Sequence, residues 1–81
     1  MSRRLDRLYN QAVARAQLAE IQLKRRLRVV ATGVRFSWRP EDVEAAWKAD
    51  PECCRLLAVS ETAWATVELR RQQLLRVRAV A

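Results

Sequence analysis

Few side chains in this sequence are suited to making or breaking bonds. Proton transfer near neutral pH most often uses histidine, and the chain has none. Its two cysteines, Cys53 and Cys54, are neighbours. On a helix adjacent side chains diverge by about 100°, so the two cannot readily bond to each other, and no third cysteine is present. Two adjacent thiols also fall short of the spaced ligand set that zinc takes. The first turn of a helix lowers a thiol's pKa, an effect that Glu52 beside them opposes. Packing as small hydrophobes is the role expected of both. A single glycine, Gly33, leaves no glycine-rich loop to cradle phosphates. The hydroxyls lack a base to activate them. Glu41, Asp42, Glu44, Asp50 and Glu52 stand at predicted helix starts, where capping and the helix dipole account for them. These residues predict a protein that is not an enzyme, with no catalytic residue, cofactor, metal or small-molecule substrate.

Binding chemistry is better represented. The net charge is +7, and Lys24-Arg25-Arg26-Leu27-Arg28 is the densest basic run, with Arg35 and Arg39 beyond it. Lys24, Arg26, Arg28 and Arg35 are the candidates for phosphate contact. Fourteen arginines beside thirteen alanines also fit the codon usage of a GC-rich genome, so the arginine excess alone does not define a function. The charge is not uniform: residues 1–39 carry a balance of +8, residues 40–68 of −5 and residues 69–81 of +4. A chain folded back on itself lays the acidic middle against the basic first segment.

The elements that position these groups follow from spacing and punctuation. The thirty residues from Ser2 to Ala31 contain neither Gly nor Pro and are rich in strong helix formers. Leu5, Leu8, Ala12, Ala16, Ala19, Leu23, Leu27 and Val30 recur in steps of three and four, which puts them on one helical stripe. The stripe is small at its centre, which lets a second helix approach closely. Ala14, Leu18, Ile21 and Val29 project from the opposite side among arginines. Arg15, Leu18, Ile21 and Arg25 are the residues expected to meet a partner. Thr32-Gly33 then ends the helix, with Gly33 as its cap. The alternation over Val34 to Trp38 predicts a loop that returns Phe36 and Trp38 to the core. Pro40, followed by Glu41, Asp42 and Glu44, opens a short helix whose inner face is Val43, Ala46 and Trp47. Asp50 caps the last helix and Pro51 is its first residue; the residue before a proline is driven out of helical conformation, so a corner falls there. Cys53, Leu56, Leu57, Ser60, Ala63, Trp64, Val67, Leu74 and Leu75 form a broad face on the last segment, interrupted by Arg71, and Ser60-Glu61-Thr62 offers a second start that would split it.

The fold expected is all-α and single-domain over 1–81. It is a long antiparallel hairpin of helices at about 3–31 and 51–78, joined by a loop at 32–39 and a short crossing helix at about 40–49. Each long helix of about 28 residues would measure roughly 42 Å, well beyond the ~12 Å radius of gyration of a compact chain of this length. A full-length hairpin brings Arg70, Arg71, Arg76 and Arg78 towards Arg3, Arg4 and Arg7, giving two basic poles. The three tryptophans are expected in the core. No apolar run is long enough to span a bilayer. Unpaired cysteines point to a reducing, cytoplasmic setting. The function expected is that of a small helical interaction module that binds a larger macromolecular partner or self-assembles. It would be an adaptor, assembly component or inhibitor, phage-encoded proteins being one subset of that class. The alternative is a nucleic-acid-binding protein whose arginine-rich faces contact phosphates.

Overall fold

The computed structural model describes residues 3–34 and 39–80. The described residues form three helices: α1 (Arg3–Gly33), α2 (Pro40–Ala49) and α3 (Pro51–Val80). No strand occurs among the described residues. The expected all-α hairpin with a short helix is what forms. Phe36 and Trp38, expected in the core, and Arg35, a candidate for phosphate contact, lie outside the described residues.

Helix boundaries follow local chemistry, with two departures. α2 begins at Pro40, preceded by Arg39 in extended conformation (φ −91°, ψ 125°), and Glu41 and Asp42 occupy its first turn. It stops at Asp50, also extended (φ −85°, ψ 115°), as the following Pro51 requires. The Asp50 carboxylate then accepts the Cys53 backbone N–H at 2.8 Å, so one residue closes α2 and caps α3. α1, by contrast, does not end on a left-handed glycine. Gly33 is still helical and none of the described residues has positive φ; the helix closes with a tighter bond from the Val34 N–H to the Ala31 carbonyl at 3.2 Å. Nor does Ser60 divide α3, which is continuous. Ser60 is buried, serving as a small residue in the contact between helices, and its hydroxyl is not spent on a cap.

α1 and α3 run antiparallel. Arg26 meets Asp50 at the α2 end, Ala12 and Ala16 pack on Val67 and Ala63 in the middle, and Leu8 shares a cleft with Arg70 towards the open end. Alanines 12, 16 and 19 form the α1 side of the seam, with Ala16 fully covered at 0% exposure. Cys53, Leu56, Ser60 and Val67 form the α3 side. Small side chains on both helices permit close approach, and among the described residues no large side chain is fully buried. The molecule is accordingly a rod of 59 × 18 × 17 Å with a radius of gyration of 17.4 Å, against about 12 Å for a compact chain of its length.

Candidate interaction surfaces

The α2 end is held by polar contacts. Arg26 donates from Nε and Nη2 to the two carboxylate oxygens of Asp50 at 2.9 and 2.8 Å. This forked pair is the strong form of a charged hydrogen bond, and it ties the last turns of α1 to the α2–α3 corner. The Arg26 guanidinium, followed by the Cys53 thiol and backbone N–H, holds the Asp50 carboxyl well below the usual carboxylate range. One turn away in space, the Trp47 indole N–H donates to the Leu27 carbonyl at 2.9 Å, which locks α2 across α1. Cys53 is buried and Cys54 exposed. Burial, then the Asp50 carboxylate, pushes the Cys53 thiol pKa up, opposite to the effect of the helix dipole on a free thiol. No three His, Cys, Asp or Glu side chains gather into a possible metal set among the described residues.

Two of the candidates for phosphate contact are engaged in ion pairs. Arg26 is occupied by Asp50. Lys24 lies within 3.8 Å of Glu20 on the helix surface. Arg28 is exposed. The larger concentration of charge is elsewhere, at the open end of the hairpin. Residues 1–10 and 66–81 bring seven arginines against Asp6 and Glu68, a balance of +5, while residues 20–55 hold eight basic and six acidic groups, a balance of +2. Of the open-end group, Arg71 pairs with Glu68 at 2.7 Å, and that pairing, with Gln72, holds the Glu68 carboxyl down at about 2. Arg3, Arg4, Arg7, Arg76 and Arg78 have no ion pair among the described residues. The two ends are separated by most of the 59 Å length.

Exposed apolar groups gather on two surfaces, with Val59, Leu69, Val77 and Val80 elsewhere round α3. Leu18 and Ile21, 56% and 48% exposed, stand with the exposed Arg15 and Arg25 on α1. They lie about half a turn round the helix from the alanine seam, on its solvent side. The second surface crosses both helices. Its α3 members are Leu57, Trp64 and Leu75, all exposed; Leu57 and Trp64 are seven residues apart and so share one side of α3. Tyr9 and Val13, half-buried beside the seam, continue it onto α1. Towards the corner it deepens into a cleft of about 280 Å³ lined by Leu23, Leu27, Trp47, Cys53, Cys54 and Leu57, rimmed by Glu44 and Lys48. Trp64, expected in the core, is 38% exposed. One partner helix covers only one side of the broad α3 stripe, and Trp64 lies on the uncovered side. That surface was missed because the whole stripe was taken as buried; its width, more than one neighbouring helix can cover, is the signal that could have found it. The other cross-helix face is more polar, with Arg15, Thr62, Thr66 and Arg70 among its clefts.

Compared with protein-family models, with curated proteins and with solved structures, the chain finds no match. No helix among the described residues is long and apolar enough to cross a membrane.

Proposed function

We propose that this chain is a non-enzymatic helical interaction module, acting by binding a larger macromolecular partner or by self-assembly. The observation that carries the reading is the imbalance of apolar surface. Leu18, Ile21, Val29, Leu57, Trp64, Leu69 and Leu75 are all exposed while the seam buries mainly small side chains. Isolated exposed apolar residues are ordinary, whereas contiguous ones mark contact surfaces. An adaptor, an assembly component or an inhibitor would each use such a rod as a ruler of fixed length. Cross-linking in the cells that make the protein tests this. A cross-linked species, with itself or another macromolecule, is expected to resist moderate salt. It should disappear in at least one of Leu18→Glu, Ile21→Glu and Trp64→Glu, the one on the face that meets the partner, while helicity stays. Recovery of the uncross-linked chain alone would refute the reading.

A second reading, nucleic-acid binding, draws support from the five arginines of the open end that lack ion pairs among the described residues. It predicts a steep loss of affinity with salt, and weakening by Arg4→Glu and Arg76→Glu more than by Arg26→Glu, since Arg26 already faces Asp50.

A further inference from the structure

We infer that the cross-helix face carrying Leu57, Trp64 and Leu75 docks against the same face of a second copy of this chain. The resulting antiparallel four-helix bundle rests on the interaction-module reading and specifies its partner. The first support is area. The chain exposes 6686 Å², where a folded monomer of 9.4 kDa is expected to expose about 5,000 Å². The excess, roughly 1,700 Å², exceeds the ~1,000 Å² that each chain contributes to a stable homodimer interface. A second layer of helices is what the rod lacks.

The choice of face follows from which surface can bury that much. Leu18 and Ile21 stand on the solvent side of α1 alone, so a partner there meets one helix and leaves α3 uncovered. The face bearing Trp64 spans two helices, with the groove between them. It runs from the apolar cleft at Leu23, Leu27, Trp47 and Leu57 to Tyr9 and Leu75, with Glu61 and the paired Glu68 and Arg71 on the same stripe of α3. The opposite face has Val59 in its clefts but sets Arg15, Thr62, Thr66 and Arg70 beside it and holds no cleft lined by large apolar side chains from all three helices.

Charge sets the direction. Two hairpins can stack with open ends together or reversed. Stacked together, the +5 ends coincide; reversed, each +5 end lies over the other copy's corner end, whose balance is only +2. Repulsion is smaller in the second arrangement, which is therefore the one expected. In the reversed arrangement the two-fold axis crosses the rod at its middle, close to Val13 and Trp64, so each Trp64 packs near its symmetry mate. Hot spots of this kind, a large aromatic at the centre of an interface, carry a disproportionate share of the binding energy.

Light-scattering mass on a sizing column, with thermal melts at two protein concentrations, tests the inference. The wild type is expected at twice 9.4 kDa, with a melting temperature that falls on dilution. Trp64→Glu should raise the dissociation constant by at least ~30-fold, whereas Leu18→Glu should leave the mass doubled. Should Trp64→Glu fail to fold, Trp64→Ala, which adds no charge, must still shift dissociation to higher concentration. A wild type of 9.4 kDa whose melting ignores dilution overturns the inference. It leaves the interaction-module reading to the cross-linking experiment, where a different partner would still appear. A doubled mass lost in Leu18→Glu but kept in Trp64→Glu also overturns it, by moving the second copy onto the α1 ridge.

Discussion

Ala16 sits at the tightest point of the rod, and enlarging it is the most direct probe of the seam. The residue is fully covered, with Val67 opposite and Ala12 beside it. Leucine adds three carbon atoms at a contact between helices whose axes lie nearer 8 Å than 10 Å when the facing side chains are small. Two effects compete. Burying a leucine side chain is worth roughly 1.5–3 kcal/mol if room exists. Forcing apart a packed contact costs about 1–3 kcal/mol, and the helices must separate along the seam to receive the chain, which forfeits some of the burial gain. The open clefts border Ala12 and Ala19, with Ala16 between them, so overpacking is expected to win. A net loss of about 2 kcal/mol follows. With ~2.1 cal/mol/K of unfolding entropy per residue, 1 kcal/mol corresponds to about 6 °C in a chain of this length, so Ala16→Leu should melt roughly 12 °C lower. Circular dichroism at 222 nm, at one fixed protein concentration, is the assay. Ala14→Leu, on the exposed side of α1, is the control and should stay within about 0.5 kcal/mol. An Ala16→Leu protein as stable as wild type would show that the helices are not in close contact there, and the account of the seam would fail.

Three further outcomes follow from the α2 end and the charge pattern. Asp50 and Glu68 both titrate lower in the folded protein than in the unfolded chain; such groups contribute stability that is complete above the unfolded carboxylate pKa and is lost as pH falls towards the folded value. Stability measured in urea should therefore start to fall as pH drops below about 4, and Asp50→Asn should flatten that acid limb. With no histidine in the chain, little variation is expected between about pH 5 and pH 8. Trp47→Phe keeps the ring but removes the donor to the Leu27 carbonyl, and should cost about 1 kcal/mol in thermal or chemical denaturation. Thiol alkylation followed by mass spectrometry should label one site, Cys54, in the native protein and a second, Cys53, only on unfolding, because Cys53 is buried with its pKa raised.

Much of the local structure was legible in the sequence because its causes are local. Pro40 with its acidic first turn, Asp50 before Pro51, and the run without Gly or Pro from Ser2 each act within a few residues of the chain. They placed α2 at Pro40–Ala49 and the corner at Asp50. Alanines 12, 16 and 19 announced a close helix contact by their spacing, and they are its buried residues. The positions of Leu18 and Ile21 on the solvent side of α1 follow from the same periodicity.

What spacing could not supply was anything decided across space. Nothing near Arg26 in the chain marks it as the partner of Asp50, twenty-four residues on; that pairing exists because α1 and α3 settle in one register. Ser60 carries a helix-start signature, yet the seam needs a small side chain there and α3 runs through it. Gly33 has the freedom to form a left-handed cap, and the chain leaves α1 without using it. Trp64 belongs to a stripe broad enough for two neighbours, and only the fold reveals that one neighbour is present and which half it covers. Secondary structure here is a property of short segments, whose capping and propensity energies are set by adjacent residues. The burial of a given side chain depends on what stands opposite it, which no stretch of this sequence contains by itself.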